Sequence, residues 1–70
     1  MTQHDRIRKY LQDFGSITPM QAFADLGITK LATRVGELIA QGEQICKEMV
    51  TGTNRYGEPV RYMRYFRRQA

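Results

Sequence analysis

Lys30, Thr33, Arg34 and Glu37 recur at helical spacing, and Leu31, Val35, Leu38 and Ile39 form a second set at i, i+4, i+7 and i+8. At helical periodicity this puts an ammonium, a hydroxyl, a guanidinium and a carboxylate around a helix whose other side is a buried stripe. The chemistry open to such a set is hydrogen bonding rather than bond breaking. A guanidinium offers a planar fork of donors that matches a guanine edge, while an ammonium is a compact point charge suited to guanine or a phosphate. Arg34 has the first property and Lys30 the second, with Thr29 and Thr33 at the same end of the segment. Each good bidentate base contact contributes on the order of 1–3 kcal/mol of discrimination. Glu37 has two readings: acceptor for a cytosine amino group, or partner of Arg34 or Gln41 on the solvated side. The second is the simpler.

A further group sits in a segment rich in turn formers. Gly52 to Pro59 contains two glycines and a proline, with Asn54, Arg55 and Tyr56 at its middle. An arginine at such a tip can enter a minor groove or clamp a phosphate, and Tyr56 can lie against the sugar-phosphate backbone. An ordinary polar loop is the alternative. Arg61 and Arg64 follow on the returning segment. Thr18 and Gln21 open a different helix, whose N-terminus favours anions, although Thr18 serves equally as a cap. The net charge of +4 is unevenly placed. Residues 1–43 balance five basic groups against five acidic ones, whereas residues 44–70 hold six against two. The whole excess lies in the last 27 residues, which points to a polyanionic partner.

Other chemistries lack their residues. One cysteine, Cys46, allows no disulfide within the chain and no cysteine-based zinc site. The one histidine, His4, stands close to the N-terminus and reads as a solvated helix-start residue. Neither a nucleophile–base pair nor a phosphate loop nor a metal-ligand spacing is present in the sequence. The expectation is a protein without catalysis and without a cofactor. The N-terminus is polar, and no run nears the roughly 18 apolar residues of a membrane span. A soluble, cytoplasmic protein with no membrane partner is therefore expected. Tyr62, Tyr65 and Phe66 alternate with arginines, a pattern also found where single-stranded nucleic acid stacks on a sheet. Two strands make too narrow a platform for that. Tyr65 reads as core, with Tyr62 and Phe66 partly exposed and available to a dimer interface.

The elements that must position these residues follow from periodicity and capping. Thr2 with Asp5 forms a capping-box variant, and Ile7, Tyr10, Leu11 and Phe14 form one stripe, giving a helix over 3–14 that Gly15 ends. Ser16 and Ile17 are a short link with at most a bridge of strand. Thr18, Pro19 and Gln21 start a second helix over 19–26, with Ala22, Phe23 and Leu26 inward and Gly27 as its stop. Gly27 to Thr29 is the turn, Thr29 caps, and the third helix runs over 30–41 until Gly42. Gly36 is its weak point. Strand formers fill 45–51 and 60–66, which makes a hairpin with Ile45, Met49, Met63 and Tyr65 as its core side. Arg67 to Ala70 reads as a frayed tail.

Three helices followed by a two-stranded antiparallel hairpin define an α+β winged helix-turn-helix over 1–70. The third helix is then the recognition helix, and the hairpin is the wing. The ordered segments Gly15-Ser16-Ile17-Thr18-Pro19, Leu26-Gly27-Ile28, Ala32-Thr33-Arg34-Val35 and Asn54-Arg55-Tyr56-Gly57-Glu58-Pro59 resemble a family of small phage and prophage helix-turn-helix domains. Nearly the whole chain shares in the resemblance. It implies the same fold, binding of double-stranded DNA and a mobile-element origin. Gly36 and Cys46 depart from the larger or more polar residues expected there. A domain of 8.2 kDa offers one short half-site, so a homodimer or a phage or host protein partner is expected to assist. The alternative is a protein-interaction module that uses the same surfaces.

Overall fold

Two threonines fix where the first helices begin. Thr2 Oγ1 accepts the Asp5 N–H at 3.1 Å, and the Asp5 carboxylate accepts the Thr2 N–H in return. This opens α1 (Gln3–Phe14), and the Thr2 backbone donor is the main reason the Asp5 carboxyl lies below its ordinary range. Thr18 and Gln21 make the same reciprocal pair at the start of α2 (Pro19–Leu26), where Pro19 loses nothing by lacking an N–H. α3 follows over Leu31–Ala40. The computed structural model describes residues 1–68.

The chain between α2 and α3 departs from expectation in an informative way. Gly27 adopts the left-handed conformation (φ +69°) that a side chain would disfavour, and the Ile28 N–H returns to the Ala22 carbonyl at 3.0 Å. This drives Ile28 into the core, where it is 1% exposed. With Ile28 anchored there, α3 begins at Leu31, and Lys30 rather than Thr29 stands at the cap position. No side chain caps this helix, which corrects the capping role expected of Thr29. At the other end Gln41 is already outside it.

The sheet has three strands in the order β1-β3-β2: β1 (Ser16–Ile17), β2 (Ile45–Thr53) and β3 (Pro59–Arg67). The link at Ser16 and Ile17 is thus a true strand, paired antiparallel with Phe66 and Tyr65. β2 and β3 pair without a bulge from Ile45↔Arg67 to Thr53↔Pro59, so the hairpin extends two residues further on one strand than the sequence pattern marks. Arg67 belongs to β3, and the Arg68 N–H donates to the Gln44 carbonyl at 2.9 Å, so neither is frayed; Gln69 and Ala70 lie outside the described residues.

One small core holds these elements together. Ile7, Tyr10 and Leu11 of α1 meet Ala22, Ile28, Leu31, Val35 and Leu38, and Ile17 and Tyr65 close it from the sheet. Full burial of a side chain of this kind contributes about 1.5–3 kcal/mol. Ile45 and Met63 pack partly against it. Met49 does not: it is 55% exposed, because the hairpin has by then run past the helices. Phe14, Phe23 and Ile39 are also exposed, although their spacing put them on buried stripes. Phe14 ends its helix and only leans on the Tyr10 ring, at a centroid separation of 4.6 Å. Phe23 belongs to a helix that buries only Ala22, and Ile39 lies to the side of the Leu31, Val35 and Leu38 stripe.

Candidate nucleic-acid interface

The interface is best built from α3, whose orientation its stripe decides. With Leu31, Val35 and Leu38 inward, the exposed residues are Ala32, Thr33, Gly36, Ile39 and Ala40. Thr33 is the one polar side chain among them, and Lys30 stands exposed just ahead of the first turn. Arg34 and Glu37 lie instead on the flank nearest α1, both half-buried. Arg34 Nη1 donates to the two Glu37 oxygens at 2.8 and 3.0 Å, and Arg34 Nε donates to Gln3 Oε1 at 3.0 Å.

His4 completes this cluster. Its Nε2 lies 2.8 Å from Glu37 Oε1. The reading of His4 as a solvated residue is corrected here: packing of α1 on α3 brings the first turn of one helix over the flank of the other. Glu37 takes the second of its two readings, as the partner of Arg34. Its carboxyl is held below the ordinary range, first by the hydrogen bond from His4 and then by that from Arg34.

Strand alternation sorts the residues of the hairpin. Successive side chains project from opposite faces, and the continuous register keeps partners on the same face. Tyr65 points into the core, so Arg61, Met63, Lys47, Met49 and Thr51 share the helix-bearing face with it. Arg64 projects from the other face, where its Nε donates to Glu48 Oε1 at 2.6 Å and its guanidinium lies 5.5 Å from the Phe66 ring centroid. The two arginines predicted from the returning strand are therefore on opposite sides of the sheet.

The tip of the hairpin is organised by Asn54. Its Oδ1 accepts the N–H groups of Tyr56 (2.9 Å) and Glu58 (3.0 Å), and its Nδ2 donates to Glu58 Oε1 at 3.1 Å. Gly57, at φ +78°, closes the turn by donating to the Asn54 carbonyl at 3.0 Å. This combination is a turn followed by a left-handed residue, a common three-residue hairpin connection. Asn54 thus uses its side chain on the loop itself, and it holds up Arg55 and Tyr56. Tyr56 is 82% exposed.

Between the tip and the start of α2 runs an open groove of about 640 Å³, lined by Thr18, Gln21, Asn54 and Arg61 among others. The capping bonds of Thr18 and Gln21 leave the Thr18 O–H and the Gln21 amide N–H groups as donors. Thr29, Lys30 and Thr33 stand apart from this groove, on α3 and the turn before it.

The ion pairs show which cations are spoken for. Arg8, Lys9, Arg34, Arg64 and Arg67 each have a carboxylate partner. Among the described residues Lys30, Lys47, Arg55 and Arg61 have none. Arg68 also has none among the described residues, and Arg6 reaches the Leu26 carbonyl instead. Lys47 is not among the site residues read from the sequence, although a signal exists: it stands two residues from both Ile45 and Met49 and so shares the face that their spacing marks as the core side.

No helix among the described residues is long and apolar enough to cross a membrane. No curated protein and no solved structure matches the chain. The family model of the winged helix-turn-helix domain matches residues 2–68, and with three helices, a short first strand and a terminal hairpin in that order, the chain belongs to this family.

Proposed function

We propose that the chain binds double-stranded DNA, with α3 in the major groove and the hairpin tip on the adjacent backbone or minor groove, and that it acts by binding alone. The observation that carries this reading is the position of the uncompensated cations. Lys30 stands at the cap position of α3, Lys47 and Arg61 lie on the helix-bearing face of the hairpin, and Arg55 stands at its tip. The opposite face holds Glu48 and Arg64, which cancel each other. Charge is therefore left over at the start of α3, on the helix-bearing face of the hairpin and at its tip, the elements with which this fold would meet a duplex. Thr18 and Gln21 add neutral phosphate donors at the start of α2. The likeness to phage and prophage domains supports the role of a small cytoplasmic regulator or accessory factor of a mobile element.

Amide chemical shifts followed while a short duplex of random sequence is added test this reading. Changes concentrated at residues 29–33, 47, 53–57 and 61 are expected. Changes confined to the face of Glu48, Tyr62 and Arg64, or none at all, contradict it.

A protein-interaction reading draws support from that other face. Val50, Val60, Tyr62 and Phe66 surround the neutral Glu48–Arg64 pair there, and Val60 and Tyr62 are exposed. A second copy seated on it would supply the second half-site that one α3 lacks. Sedimentation with and without DNA tests this, with a Tyr62→Asp variant expected to remain monomeric.

A further inference from the structure

The arginine best suited to read a base is the one that is not free. Arg34 is held by three hydrogen bonds, two to Glu37 and one to Gln3, on the flank of α3 that faces α1. To reach a guanine edge or a phosphate it must leave the Glu37 carboxylate. That carboxylate is partly exposed, and leaving it without a cation beside a polyanion is unfavourable because like charges repel. A second potential cation is already in contact with it: His4 Nε2 sits 2.8 Å from the same oxygen that Arg34 Nη1 touches.

We propose that Glu37 is a latch on Arg34 and that His4 exchanges with it: when Arg34 turns to DNA, a protonated His4 takes over the Glu37 carboxylate, so that binding takes up a proton. Neutral imidazole can donate one hydrogen bond to Glu37, but only the imidazolium replaces the lost positive charge. The surroundings leave this exchange to the three residues. Among the described residues Glu37 is the sole carboxylate within ion-pair distance of His4, and Arg34 is the cation that shares it. On α1 itself the neighbouring Asp5 is paired with Arg8, and Arg8 is tied further to Gln41 and Glu43. α2 meets the opposite side of α1 through Arg6 with Leu26 and Tyr10 with Asp25. The sign follows from linkage. Where His4 of the free protein carries no proton, binding takes one up, so affinity rises as pH falls.

The inference rests on the DNA-binding reading, and the two can fail separately. The test is affinity for a random duplex at constant ionic strength, at pH 6 and pH 8. His4 is the sole histidine of the chain, so His4→Gln keeps a donor to Glu37 and removes the titration. The parent is expected to bind about three- to tenfold more tightly at pH 6 than at pH 8, and His4→Gln is expected to lose that difference. Glu37→Gln should tighten binding at pH 8, and the gain should vanish in an Arg34→Ala background. Binding that is independent of pH in the parent, or equally pH-dependent in His4→Gln, overturns the latch and leaves the DNA-binding reading standing. No binding at either pH in dilute salt overturns both.

Discussion

Arg61 and Arg64 are three residues apart on β3 and project from opposite faces of the sheet. One shares its face with Tyr65 and the helices and has no carboxylate partner among the described residues; the other is paired with Glu48 on the outer face. Equal charge and near-equal position thus carry different consequences. Arg61→Ala is expected to weaken binding to all duplex sequences alike and to lower the slope of log affinity against log salt by about 0.9, the share of one neutralised phosphate. Arg64→Ala should leave that slope unchanged. Equal effects of the two substitutions would mean that DNA does not approach from the helix side.

Asn54 acts on DNA through the loop it organises. Asn54→Ala removes two acceptor contacts to the N–H groups of Tyr56 and Glu58, each worth about 1 kcal/mol. The expected result is faster amide exchange at those two residues and weaker binding, with α1 to α3 unaffected. Unchanged exchange would show that the turn is held by Gly57 and the backbone pairing alone.

Ile28 ties the turn to the core, so its truncation tests the helix-turn-helix geometry as well as stability. Ile28→Ala is expected to destabilise the fold by about 2–5 kcal/mol, a large share of what a domain of this size has. Thermal denaturation measures it. A loss below about 1 kcal/mol would mean that α2 and α3 are positioned without this residue.

Acid should loosen the contact between α1 and α3. The Glu37 and Asp5 carboxyls both lie below their ordinary values in the folded chain, for which their hydrogen-bond donors are responsible. A carboxyl lowered in the folded state contributes stability that is complete above its unfolded value, about 4, and disappears as pH falls through the folded one. Stability measured in urea should therefore decline below about pH 4.5, less steeply in Glu37→Gln. A Glu37→Gln profile identical to that of the parent would place the acid sensitivity elsewhere.

Much of this molecule is legible in its sequence, for local reasons. The capping boxes of Thr2 and Thr18 involve residues three apart, and the hairpin follows from two runs of strand formers around a turn. What escaped depends on distant contacts. Nothing near Thr29 announces that burial of Ile28 sets α3 to begin at Leu31. Nothing near His4 announces Glu37, which is 33 residues away. Phe14, Phe23 and Ile39 have the spacing of buried residues, but no element among the described residues covers them. The two faces of the hairpin were within reach of alternation alone, once Tyr65 was assigned to the core. Arg64 and Lys47 could have been sorted by counting from it.

The central claim is that uncompensated charge on the helix side of the hairpin and at the start of α3 binds duplex DNA. Its most direct test is the salt dependence of binding to random duplex. Four cations, Lys30, Lys47, Arg55 and Arg61, predict a slope of log affinity against log salt near −3.6, taking about 0.9 per phosphate. A fifth unit is added where Arg34 leaves Glu37. A slope in that range, reduced stepwise by alanine at Lys47, Arg55 and Arg61, is the predicted result. No binding in dilute salt, or binding that salt does not weaken, would contradict the account.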